Sequence, residues 1–125
     1  MNTWEFPNFS EKEFACRHCG KCEMDLDFVA KLQELRSKVD LPMKISSGYR
    51  CKDHPVEVKK SAPGTHNEGV AADILCFGSN AHKILSMALE LKFQGIGVNM
   101  KGDRNSRFIH LDMSKKKSRP TIWSY

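Results

Sequence analysis

Two short segments of the 125-residue chain place metal-ligating side chains where an ordinary core would not have them. In Ser61-Ala-Pro-Gly-Thr-His66-Asn-Glu-Gly69-Val-Ala-Ala-Asp73-Ile, a histidine ends a glycine-containing turn and an aspartate follows inside an apolar run. Val70, Ala71, Ala72, Ile74 and Leu75 surround Asp73, and a carboxylate buried without a partner is costly. A cation removes that cost, and imidazole and carboxylate are both good zinc donors. In Arg107-Phe-Ile-His110-Leu-Asp112-Met, strand alternation puts Phe108, His110 and Asp112 on one face. His110 is then a candidate third ligand. Asp112 can orient its ring, as ligating histidines generally require. Three protein ligands leave one tetrahedral position for water, the arrangement of hydrolytic rather than structural zinc. Each segment also has a plainer reading, because a single strand histidine is more often hydrogen-bonded in a core than bound to metal. Of His18, His54 and His82, at least two read as ordinary surface or loop residues.

A second cluster is Cys16-Arg-His-Cys19-Gly-Lys-Cys22, holding three of the five cysteines. An odd count, crowded in this way and without a secretory leader, argues against a disulfide framework. The run, with His18 inside it, could bind zinc or join an iron–sulfur site. A closed structural zinc site wants four ligands, usually from two separated pairs, and Cys51 and Cys76 stand alone. Free thiols in a turn around Gly20 are the favoured reading.

The elements that must position these groups follow from hydrophobic period. Asn8 to Phe14 reads as a capped helical turn, with Ser10 and Glu13 at capping-box spacing. Phe28, Val29, Leu32, Leu35 and Val39 recur at helical spacing after a cap at Asp25 or Asp27, and Pro42 stops that helix. Met43 to Ser47 alternates as a short strand closed by Gly48. Tyr49 to His66 is polar, with Pro55, Pro63 and Gly64, and reads as a loop of a length uncommon unless it serves a function. Val70–Cys76, Gly95–Asn99 and Arg107–Met113 read as strands, and Asn80–Leu91 as a second helix with Ile84, Leu85 and Ala88 inward. This order predicts one α+β domain over 1–125, a small and mostly antiparallel sheet packed with helices.

Composition narrows the function. With 40% hydrophobic and 28% charged residues the chain is globular rather than disordered. No apolar stretch approaches the roughly 18 residues that span a bilayer, so no membrane is expected. The N-terminal residues lack the pattern of a secretory signal, which predicts synthesis in the cytoplasm. The net charge of +5 favours polyanions in general, nucleic acid, anionic lipid or bacterial wall alike. Lys115, Lys116, Lys117 and Arg119 supply part of it, as a solvated tail or as a binding patch. A nucleic-acid protein is disfavoured, since interleaved aromatics and any known basic module are lacking.

Several segments taken together resemble the M15 family of zinc peptidases. These are Ile45-Ser-Ser-Gly-Tyr-Arg50, Gly64-Thr-His66-Asn-Glu-Gly69-Val-Ala-Ala-Asp73-Ile, Gly95-Ile-Gly97 and Phe108-Ile-His110-Leu-Asp112. They fall in the family's order and span roughly residues 5 to 123, and Phe9-Ser-Glu-Lys-Glu-Phe-Ala-Cys resembles the start of phage and prophage members. The family includes D-Ala-D-Ala carboxypeptidases, cell-wall endopeptidases and phage endolysins, and shares its fold with the hedgehog signalling domain. The resemblance implies that fold, with zinc held by His66, Asp73 and His110. It implies that Arg50 lies beside a substrate carbonyl or carboxylate, a task its fork of donors suits, although a structural ion pair is the alternative. Gly69 would let the chain turn between two ligands.

The chain departs from better-known branches at Arg107 and Phe108, where some members carry the general base and neither residue here can take a proton. Asp112 is the nearest carboxylate, as base or as orienter, and Glu68 and Asp103 are further candidates; the base is unassigned. The implied function is zinc-dependent hydrolysis of peptidoglycan stem peptides or cross-links by a monomer, phage- or prophage-encoded and delivered to the wall. The alternative is a catalytically inactive zinc-binding module of the same fold.

Overall fold

The computed structural model describes residues 4–61 and 64–125; Met1 to Thr3 at the N-terminus, and Pro63 from the expected loop, lie outside the described residues. Ser10 opens α1 (Glu11–Phe14), its backbone N–H donating to Glu13 Oε2 at 2.6 Å. Asp25 caps α2 (Leu26–Val39), its carboxylate accepting from the backbone N–H groups of Asp27 and Phe28. Two free donors of the first turn are thereby satisfied. Phe28, Val29, Leu32 and Leu35 form the buried stripe of α2. The second long helix, α4 (Gly78–Glu90), begins two residues earlier than its apolar pattern suggests and buries Ala81, Ile84 and Ala88. No helix among the described residues is long and apolar enough to cross a membrane.

Five strands form one sheet in the order β1-β2-β4-β3-β5. They are β1 (Lys44–Ser47), β2 (Ala71–Leu75), β3 (Gly95–Asn99), β4 (Phe108–Asp112) and β5 (Thr121–Ser124). All neighbouring pairs are antiparallel except β3 with β5. The architecture is therefore α+β with a mostly antiparallel sheet, as the order of elements predicts. Unforeseen are β5, which follows the basic run, and α3 (Thr65–Glu68), a single helical turn at the end of the long loop.

Pleating divides the sheet into two chemically different faces. Ile45, Ala72, Ile74, Ile96, Ile109 and Leu111 point to the α2 and α4 side and join their apolar residues in one core. The opposite face carries a transverse row in register, running Ser47, Asp73, His110, Gly97, Trp123 across all five strands. The small residues in this row and beside it have a steric cause. A Cβ on Gly97 would stand 2.6 Å from Trp123 Nε1, and one on Gly95 would collide with the carboxylate of Asp112. Gly97→Ala is expected to push Trp123 off the row and to destabilise the fold by about 1–3 kcal/mol, the usual range for overpacking. Urea denaturation measures the stability, and the Trp123 contribution to near-ultraviolet circular dichroism measures the displacement.

Candidate metal centre

Three elements bring the donors together. His66 sits in α3, which starts at Gly64 and ends at Gly69, whose left-handed φ of 77° suits a residue without a side chain. A Cβ at Gly69 would also collide with the carbonyl of Glu23, so this glycine both turns the chain between His66 and Asp73 and packs it closely. Asp73 is the central residue of β2 and pairs directly with His110 of β4. All three side chains are buried, at 4%, 7% and 4% exposure for His66, Asp73 and His110.

Hydrogen bonding fixes which atom of each ring is free. The Nδ1 of His66 lies 2.7 Å from the carbonyl of Gly48, to which it donates, leaving Nε2 to face Asp73 Oδ1 at 3.3 Å. His110 is held the other way round. Its Nε2 meets Asp112 Oδ2 at 2.7 Å, and its Nδ1 faces Asp73 Oδ1 at 3.0 Å. The donor atoms of His66, Asp73 and His110 lie within 4.8 Å of one another. Two imidazole nitrogens, each with its other nitrogen anchored, and one carboxylate form a donor set that zinc accepts. The residues present fit the ion.

The electrostatics agree. Burial pulls the His66 pKa down and outweighs its carboxylate neighbour, keeping the ring neutral as a ligand must be. Burial acts the same way on His110, but Asp112 and Asp73 on its two sides outweigh it and raise the pKa. A cation entering the pocket therefore competes with protons for His110, and metal affinity weakens as the pH is lowered. Burial would push Asp73 and Asp112 up; the histidine bonds, and for Asp112 the Arg119 guanidinium, hold both well below the usual carboxylate range.

Asp112 is wholly enclosed, at 0% exposure. Besides His110 it accepts from Arg119 Nε and Nη2, both at 2.8 Å, and from the backbone N–H of Ser114 at 3.2 Å. Its oxygens are committed to these partners, on the ring edge of His110 turned away from Asp73. Of the other carboxylates read as candidate bases, Glu68 accepts from Ser114 Oγ. Asp103 caps the short 3-10 turn Arg104–Ser106 in the β3–β4 loop, beyond the end of the two strands.

Arg50 reaches the rim of the pocket. Its backbone is fixed to α3 at both ends, with the N–H donating to the His66 carbonyl at 3.2 Å and the carbonyl accepting from Asn67 Nδ2 at 2.9 Å. Its guanidinium bonds Ser47 Oγ at 3.1 Å and stands 3.6 Å from Asp73 Oδ2 and 3.7 Å from Glu57 Oε2. Both ion pairs are longer than the 2.7–2.9 Å of a tight charge-assisted bond. Arg50 thus makes loose structural ion pairs from a side chain that keeps 16% exposure.

Three residues of the site carry no signal in the sequence reading. Glu57, buried in the long loop, accepts from Lys60 Nζ at 2.8 Å and from the Gly64 backbone N–H at 3.0 Å, and so ties that loop to the start of α3. Trp123 of β5 lies 5.1 Å from the His110 ring, centroid to centroid, with the Arg119 guanidinium 5.4 Å from its own ring. Arg119, grouped by composition with Lys115, Lys116 and Lys117, is the buried partner of Asp112 rather than part of a solvated tail. Beside the pocket a cleft of about 450 Å³ opens between Lys60, Thr65, Lys117, Arg119 and Trp123.

Residues 7–112 match the sequence model of the family described as Peptidase M15. No curated protein matches the chain. The match spans most of the sequence and contains His66, Asp73 and His110, the residues that the fold gathers in one buried pocket; the chain belongs to the Peptidase M15 family of zinc metallopeptidases.

Proposed function

We propose that the protein is a peptidoglycan hydrolase that cuts peptide bonds of the bacterial wall with one zinc ion held by His66 Nε2, His110 Nδ1 and Asp73. The observation that supports this most is the convergence of those three donors in one buried pocket, each ring anchored through its other nitrogen. When bound, zinc supplies a Lewis acid that activates water and polarises the scissile carbonyl. Gly48 and Asp112 hold the two rings in the orientation that points a lone pair into the pocket. Arg50, with its loose ion pairs, offers a donor to the oxygen that gains charge as the carbonyl is attacked. Trp123 covers His110 from the β5 side and limits water on that flank.

The lining of the cleft supports this substrate class. Wall stem peptides carry carboxylates, and Lys60, Lys117 and Arg119 line the approach. Lys60 is tied to Glu57 and Arg119 to Asp112, which makes Lys117 the cation best placed to meet a substrate carboxylate. The reading extends to a monomer acting outside the cell in which it is made, delivered by a phage or prophage route.

Digestion of purified peptidoglycan, followed by mass spectrometry of the released muropeptides, tests the proposal and names the bond cut. Release of stem-peptide fragments that stops with a chelator and returns with zinc is the expected result. Zinc retention without any release would mark a binding module instead.

A further inference from the structure

The thiols of Cys16, Cys19 and Cys51 lie within 4.8 Å of one another, in a cluster separate from the His66 pocket. The grouping differs from the one the sequence suggests. Cys22 is turned toward Trp4 and Met24, and its place is taken by Cys51, 35 residues beyond Cys16. Cys76 is buried in the main core.

The backbone around these sulfurs is arranged as thiolates require. The backbone N–H of Cys51 points at Cys16 Sγ at 3.4 Å. The turn that presents Cys16 and Cys19 is closed by two short bonds, Cys16 N–H to the Lys21 carbonyl at 2.7 Å and Gly20 N–H to the Cys16 carbonyl at 2.8 Å. An amide directed at a sulfur within a group of three stabilises the thiolate that zinc binds.

We propose that Cys16, Cys19 and Cys51 bind a second zinc ion, which ties the loop after Arg50 to the N-terminal turn. Soft thiolate donors in a tetrahedral arrangement select zinc, and each thiol gives up its proton to solvent as the ion binds. Three sulfurs supply three positions, and the fourth is left to solvent on the side where Cys19 is exposed. The loop has a need for such a fastening. Residues 51–61 contain turns but no helix or strand, yet they must deliver Glu57 to Gly64 and stand next to Arg50. Tyr49 N–H already bonds the Phe14 carbonyl just before the loop, and the ion would add a second tie at the loop's first residue.

Zinc counting on the full chain, purified under reducing conditions, separates this site from the His66 site. Two zinc ions per chain are expected for the wild type, one for Cys51→Ser, one for His66→Ala and none for the double variant. With cobalt in place of zinc, the wild type and His66→Ala should show the ultraviolet sulfur-to-cobalt charge-transfer band, and Cys51→Ser should lack it. A wild type that carries one ion, lost in His66→Ala and kept in Cys51→Ser, overturns the proposal and leaves the peptidase reading standing. Should Cys51→Ser misfold, alkylation of the unsubstituted protein decides the matter. Zinc should shield Cys16, Cys19 and Cys51 against the reagent. Equal labelling with and without zinc, or a disulfide between two of the three in the freshly isolated zinc-free protein, overturns it.

Discussion

His66→Ala is expected to lose the zinc of the His66–Asp73–His110 pocket and all hydrolysis of peptidoglycan together. The geometry gives the reason. With Nδ1 committed to the Gly48 carbonyl, Nε2 is the one free nitrogen of that ring, and alanine leaves Asp73 and His110 as the only donors. Two donors do not hold zinc against water at the affinity a hydrolase needs. The Gly48 carbonyl also loses its partner in a buried setting, which adds a stability loss of about 1–3 kcal/mol. Activity should therefore fall to the level of the chelated wild type, and added zinc should not restore it. Metal analysis on the folded variant, read beside muropeptide release, provides the check. Full activity in this variant would mean that the ligand assignment is wrong.

The second large effect concerns Asp112, for which sequence left two roles open. Its fit is that of the residue which holds His110, since His110 Nε2, both Arg119 donors and the Ser114 N–H occupy its oxygens. Asp112→Asn preserves shape but removes the charge and places an amide N–H against either the guanidinium or the ring. Zinc affinity should drop by about 10–100-fold, the usual consequence of losing a carboxylate behind a ligating histidine. Stability should fall as well, by roughly 3–5 kcal/mol, because Arg119 is left as a largely buried cation without its partner. Chelator competition measures the first quantity and urea denaturation the second. A positioning role further predicts that saturating zinc restores much of the turnover. A proton-accepting role predicts the reverse, with affinity unchanged and turnover lost at full zinc loading.

The parts of the fold that could be read in advance are those whose signal is local. The apolar stripe and Asp25 cap fix α2, alternation fixes β1 and β4, an apolar run marks β2, and β3 spans the residues expected of it. The lone aspartate in an apolar strand and the His-x-Asp spacing in another pointed to the pocket because each is costly without a partner. What stayed hidden depends on contacts between distant residues. Nothing in Lys115 to Arg119 distinguishes the one basic side chain that turns inward, since the distinction is made by Asp112. Cys22 stands at the same spacing from Cys19 as Cys16 does, yet the fold sends it toward Trp4 and brings in Cys51. β5 is a short, largely exposed edge strand, and its four residues lack a buried face that periodicity could detect. Gly95 and Gly97 were visible as small residues, but their cause, the space taken by Asp112 and Trp123, appears only once the strands are paired.

The most direct test of the central claim is anomalous diffraction at the zinc edge from crystals of the intact protein grown with zinc. A peak bonded to His66 Nε2, His110 Nδ1 and a carboxylate oxygen of Asp73 is the predicted result. Zinc-saturated crystals with no peak among these three side chains, or with His66 and His110 bound to separate ions, would contradict it.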